Sequence, residues 1–155
     1  ELLLKINRTA MNRMGSQAHD DISSLLKDIG FEHSNEVSPF IGSAGSGAFD
    51  GFEGDDFMAI DIANVDRRIA VEFDGPSHFL GFKKTGGVPK GKTKMKARLM
   101  KSLGWKVVNI PWYDWHDFGI GANYKLAKVE YLRRKLLEAL RPLIRRAKGK
   151  CSAMP

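Results

Sequence analysis

Three acidic residues on two apolar stretches are the first places in this sequence where chemistry can be read. Along Ile69 to Asp74 the order is Ile-Ala-Val-Glu-Phe-Asp. In a strand, successive side chains point to opposite faces. Ile69, Val71 and Phe73 then share one face, and Ala70, Glu72 and Asp74 share the other. Asp61 stands late in a second apolar run, Met58-Ala59-Ile60-Asp61-Ile62. A carboxylate there carries a desolvation cost unless something pairs with it. Three carboxylates gathered this way, Asp61, Glu72 and Asp74, suit an oxygen-seeking ion such as magnesium. The competing reading is pairing with Lys or Arg that orients the sheet edge.

Lys96 is the cation best placed for such a pairing. With Met95 set to zero and about 100° per helical residue, Leu99, Leu103 and Met100 fall near ~40°, ~80° and ~140°. Lys96 falls near ~100°, inside that apolar arc, while Lys94, Arg98 and Lys101 fall on the other side. A lysine so placed either snorkels outward or meets an acid. Glu72, Asp74 and Asp61 are the candidates. His78, in Asp74-Gly75-Pro76-Ser77-His78, follows the strand end. It is a candidate metal ligand, proton-transfer group or nucleic-acid contact, and equally a local hydrogen-bonding residue. Trp112, Tyr113 and Trp115 could stack on unpaired bases or pack in the core.

Gly86 to Thr93 matches the pattern G-x-x-x-x-G-K-[ST] of a phosphate-binding loop. That loop needs a strand directly before it. Here eleven residues separate the motif from Asp74, so a nucleotide-hydrolysing reading fails on context.

These residues need elements to hold them. A helix is expected from Ser16 to Ile29, with Ile22, Leu25, Leu26 and Ile29 at helical spacing and Gly30 as the stop. Strands are expected over Phe31–Val37, Phe57–Ile62, Arg68–Asp74 and Trp105–Ile110. A helix capped by Thr93 runs to Leu103, and a long one spans Asn123–Ala147. Val129, Leu132, Leu136, Leu140 and Leu143 form its apolar stripe, and Pro142 should kink or restart it. Residues 42–54 and 80–92 read as loops. The order is helix, three strands, helix, strand, helix. This is a single α/β domain, a three-layer-like sandwich around a small mixed sheet. Residues 1–14 read as a stub, the end of an upstream helical region; the domain covers 15–147, and 148–155 form a tail.

The chain has 155 residues, of which 43% are hydrophobic, enough for one core without disulfides. Its one cysteine, Cys151, excludes an internal disulfide. No apolar run approaches the ~18 residues of a membrane span, so no membrane partner is expected. The first residue is Glu1, which fits a piece of a longer protein. Net charge is +7, unevenly spread. Residues 1–82 hold 6 basic and 14 acidic residues. Residues 83–106 hold 9 basic and no acidic ones, among them Lys83, Lys84, Lys90, Lys92, Lys94, Arg98 and Lys101. Residues 123–155 hold 10 basic and 2 acidic residues, with Arg133 and Arg134 in the long helix. Two basic blocks within one domain point to a polyanion partner.

The segments IAVEFDGPSHF, TGG and KTKMKARLMKSLGWKVVNIPWYDW, over about residues 57–115, resemble the RAP domain, a module abundant in apicomplexans. The resemblance implies an RNA-binding domain of organellar RNA-processing proteins, with a fold similar to PD-(D/E)xK nucleases of the very-short-patch-repair type. It matches Asp61 and Glu72 to the acidic pair of that nuclease fold, which would hold magnesium if the chain were a nuclease. Asp74 stands where the strand lysine would be, and Lys96 could replace that lysine from the helix. Asp74 and His78 match the family's own DGPxH segment. The expected function is RNA binding by phosphate contacts and stacking, with His78, Trp112 and Tyr113 joining the basic residues. The expected RNA is an organellar transcript or ribosomal RNA, in a mitochondrion or another organelle, possible ribosomal-protein partners included. No cofactor is expected. The alternatives are a magnesium-dependent endoribonuclease using Asp61, Glu72, Asp74 and Lys96, and a structural protein–protein module.

Overall fold

The computed structural model describes residues 17–40, 58–81, 87–118 and 123–150, with side chains in the last stretch as far as Arg141. The stub at 1–14, the glycine-rich loop at 42–54, Ser16, Lys83 and Lys84 lie outside the described residues.

Helix α1 is seen over residues 17–28. It buries Ile22, Leu25 and Leu26 at the expected helical spacing. Gly30, at φ 76°, ends it. Gly30 N–H donates to Lys27 O (2.9 Å) and Phe31 N–H to Leu26 O (2.9 Å). This paired closure needs a left-handed residue, which glycine adopts at least cost.

Four strands form a mixed sheet in the order β1-β2-β3-β6. They are β1 (Ser34–Val37), β2 (Ile60–Asn64), β3 (Ile69–Asp74) and β6 (Lys106–Pro111). β1–β2 and β2–β3 pair antiparallel; β3–β6 pair parallel, with Glu72 opposite Asn109. Between β3 and β6 the chain forms a 3-10 turn at Pro76–His78, a small ladder of β4 (Phe79–Leu80) with β5 (Val88–Pro89), and helix α2 (Gly91–Ser102). Helices α3 (Trp112–His116) and α4 (Tyr124–Lys150) follow.

The alternation read along β3 sorts the molecule into layers. Ile69, Val71 and Phe73, with Val108 and Ile110 of β6, pack against α1 and against Tyr131 and Leu132 of α4. Ala70, on the other face, packs with Met100 of α2 and with Trp105. α1 and α4 thus cover one face and α2 the other.

Several sequence expectations need correction. β2 begins and ends later than Phe57–Ile62, and α2 starts at Gly91 with Lys90 as its cap residue, not Thr93. Thr93 Oγ1 instead faces the His78 carbonyl oxygen (3.4 Å). The expected loop at 80–92 contains the β4–β5 ladder, and α3 was not expected; both are too short to show a hydrophobic period. α4 runs as one element through Pro142. The hydrogen bond that proline removes would have reached the carbonyl of Glu138, an exposed residue whose carbonyl water can serve. Val129, Leu136 and Leu140 pack on the core beside buried Leu132, as the stripe requires; the Leu143 side chain lies outside the described residues.

Candidate nucleic-acid cleft

Asp61 and Glu72 meet where the β2–β3 ladder ends. Their antiparallel register puts them side by side on the α2 face. Each carboxylate takes the other strand's backbone: Phe73 N–H donates to Asp61 Oδ2 (2.8 Å), and Asp61 N–H to Glu72 Oε1 (3.3 Å). The side chains thereby satisfy amides that the sheet leaves unpaired at its end.

Lys96 reaches this pair from α2. Its Nζ donates to Glu72 Oε2 (2.5 Å) and to Ala59 O (2.6 Å), and stands 3.9 Å from Asp61 Oδ1. Of the two readings open for Lys96, pairing is the one observed. The Glu72 side chain is 5% exposed and that of Lys96 15%. Burial pushes the Glu72 carboxyl up to about 8; Asp61's negative charge adds to this, and Lys96 pulls the other way.

A second cluster stands at the end of β3. His78 Nδ1 donates to Asp74 Oδ1 (2.9 Å), and Asn109 Nδ2 to Asp74 Oδ2 (2.8 Å). With Nδ1 engaged by the carboxylate, Nε2 is the polar atom that the ring has left, and it accepts whenever the ring is neutral. The His78 carbonyl in turn accepts Lys90 N–H (2.8 Å), tying the start of α2 to the strand end.

Both clusters open on one cleft of about 430 Å³. Glu72 and Asp74 lie buried within it, Asp61, His78, Lys96 and Asn109 are half-buried, and Ser77, Lys90 and Lys92 stand exposed at its edge. Next to Asp74, Phe79 and Tyr113 make an edge contact (5.5 Å), and Trp112 lies 6.1 Å from Tyr113. Burial raises the Tyr113 hydroxyl's pKa, and the charges of Asp114 and Asp74 add to it. Trp112 and Tyr113 are half-buried and do not line the cleft; Trp112 packs against the core on the α1 and α4 face, to which Trp115 belongs at 2% exposure.

The structure therefore gathers Asp61, Glu72, Asp74, His78, Lys90, Lys92 and Lys96. Lys94, Arg98 and Lys101 are exposed on α2 without lining the cleft. Arg133 and Arg134 are not brought to it, because α4 packs on the opposite face of the sheet. Sequence reading missed Asn109. An Asn within Val-Val-Asn-Ile hints at a polar face, but its partner 35 residues away emerges only from the parallel register.

In this arrangement the two acids offer a magnesium ion one open carboxylate oxygen, Asp61 Oδ1. One oxygen of each is taken by a backbone N–H, and the Lys96 ammonium already faces both carboxylates. No group of three His, Cys, Asp or Glu side chains suited to a metal occurs among the described residues. The phosphate-loop reading fails here too, since Val88 and Pro89 within the motif are extended and pair with β4.

Residues 71–135 match the family model of the RAP domain. Over 124 residues the chain is 29% identical to a RAP domain-containing protein, chloroplastic, of Oryza sativa subsp. japonica. That alignment covers 80% of this chain and 16% of the relative, so the chain spans about a sixth of that protein. No solved structure matches, and the nuclease likeness stays an implication of the resemblance.

Proposed function

We propose that this chain, whose residues 71–135 carry a RAP domain, binds single-stranded RNA across the α2 face of its sheet. The observation that carries this is the cleft itself. A basic edge of Lys90 and Lys92 adjoins fixed polar groups, and the half-buried Tyr113 ring stands near Asp74. Lysines neutralise phosphates, rings stack on unpaired bases, and oriented polar groups read base edges. Lys94, Arg98 and Lys101 extend the positive field along α2. Arg133 and Arg134, on the far face, contribute only at long range. We further propose an organellar setting, in keeping with the chloroplastic relative, with a mitochondrial transcript or ribosomal RNA as the ligand. Ribosomal proteins as neighbours belong to the same proposal.

The nuclease alternative has against it the Lys96 ammonium on Glu72, which leaves Asp61 Oδ1 as the pair's one open oxygen. Labelled RNA incubated with the chain and magnesium should stay intact; turnover abolished by Asp61→Ala and Glu72→Ala would reverse that reading. The binding reading is tested by RNA affinity against salt. Each phosphate neutralised adds about −0.7 to the log–log slope for single strands. A slope near zero would end the proposal.

A further inference from the structure

The polar atoms that the cleft leaves open are mostly acceptors. Asp61 Oδ1 has its nearest cation at 3.9 Å, beyond hydrogen-bond reach, and its side chain is 32% exposed. His78 has Nδ1 on Asp74, so Nε2 is its remaining polar atom, an acceptor whenever the ring is neutral, and that side chain is 42% exposed. Asn109 turns its amide nitrogen to Asp74, which leaves Oδ1 for a ligand. The chief interior donor, Lys96, is committed to Ala59 O and Glu72 Oε2. Cations stand instead at the exposed edge, on Lys90 and Lys92.

An acceptor-rich interior beneath a cationic edge selects a ligand with N–H groups at one end and negative charge at the other. A nucleotide is such a ligand. Adenine, cytosine and guanine each carry an exocyclic amino group, and carboxylates accept from such groups. Uracil carries carbonyl oxygens in place of that amino group, on either side of a single N3–H, and so offers the three acceptors one donor and two mismatched oxygens. The volume, about 430 Å³, falls in the range of about 300–1,000 Å³ typical of small-ligand pockets. RNA recognition commonly uses bases splayed out of the stack.

We propose that the cleft admits one unstacked, amino-bearing nucleobase, read by Asp61, His78 and Asn109, with the adjoining phosphate at Lys90 and Lys92. This inference rests on the RNA-binding reading and gives it a base preference. The probes are 12-nucleotide uridine oligomers, unsubstituted or with a single central A, C or G, titrated against the wild-type chain by fluorescence anisotropy. Each substituted oligomer should bind about tenfold tighter than the all-uridine one. Equal affinity for all four, with binding still salt-sensitive, would overturn the pocket and leave RNA binding standing. No binding to any would overturn both. The variant Asp61→Asn keeps an acceptor for Phe73 N–H but replaces the open oxygen with a donor. In a folded Asp61→Asn chain, checked by urea unfolding, the preference should shrink or turn towards uridine; an unchanged preference would remove Asp61 from the site. The wild-type comparison decides the matter even where that variant does not fold.

Discussion

On each face of the sheet a part-buried lysine meets an acid, and these two pairs stand in different surroundings. On the α2 face, Lys96 meets Glu72, whose side chain is 5% exposed. On the other face, Lys128 of α4 meets Asp21 of α1, 36% exposed, with its ammonium 4.4 Å from the centre of the Trp115 ring. The second pair fastens two helices over an apolar layer that already holds them. The first stands beside the smaller apolar layer of Ala70, Met100 and Trp105, because β3 also sends Glu72 and Asp74 to that side. One strand thus makes a core with its odd residues and, on the other side, a second apolar contact through Ala70 and a polar cleft through Glu72 and Asp74. A buried ion pair is poor value for stability, since desolvation offsets much of the attraction. Its presence in the α2-face layer fits a surface kept polar for a ligand.

The contrast breaks most sharply at Lys96. Lys96→Met keeps the stem's packing and leaves Glu72 buried without its cation. Urea unfolding at pH 9 should show a loss of about 3–5 kcal/mol. The loss should shrink at pH 5. Glu72's folded pKa, about 8, lies above its ordinary 4.5, so the folded chain binds this proton more tightly than the unfolded one. The stability this contributes is full below about pH 4.5 and disappears as pH rises through 8. Without Lys96 the carboxyl is raised further, and protonation at low pH relieves it. Adding Glu72→Gln should restore part of the loss.

Asp74→Ala removes the shared partner of His78 and Asn109. A cost of about 2–3 kcal/mol is expected from the same unfolding measurement, because hydrogen bonds to a charged group are lost and a buried site is emptied. Lys128→Met should cost less, about 1–2 kcal/mol, combining a part-exposed ion pair with a cation–ring contact. Lys101→Met, on the exposed side of α2, should change stability by no more than about 0.5 kcal/mol. A Lys128 variant as damaging as the Lys96 variant would erase the difference between the two faces.

Much of this division was legible in the sequence. The alternation of Ile69 to Asp74 gave both faces, and the helical angle of Lys96 placed it among apolar neighbours. What escaped was information held by register. Asn109 joins Asp74 only because β3 and β6 run parallel with Glu72 opposite Asn109. The exchange between Asp61, Phe73 and Glu72 depends on where the β2–β3 ladder stops. The two basic blocks looked equivalent as charge runs, yet α2 and α4 lie on opposite faces, and linear charge density carries no sign of that. Tyr131 illustrates the same limit: its hydroxyl donates to Asp114 Oδ2 (2.9 Å), a bond that needs α3 to exist.

The central claim is that RNA is held on the α2 face, and the two basic blocks supply its test. Lys90→Gln/Lys92→Gln and Arg133→Gln/Arg134→Gln each remove two positive charges, from opposite faces. Affinity for a single-stranded RNA oligomer should be measured for both variants and the wild type across a salt series. The cleft variant should bind more weakly, with its log–log slope flattened by about 1.4 if both lysines contact phosphate. The α4 variant should keep the wild-type slope. Equal flattening in both, or flattening in the α4 variant alone, would contradict the assignment of RNA to the cleft.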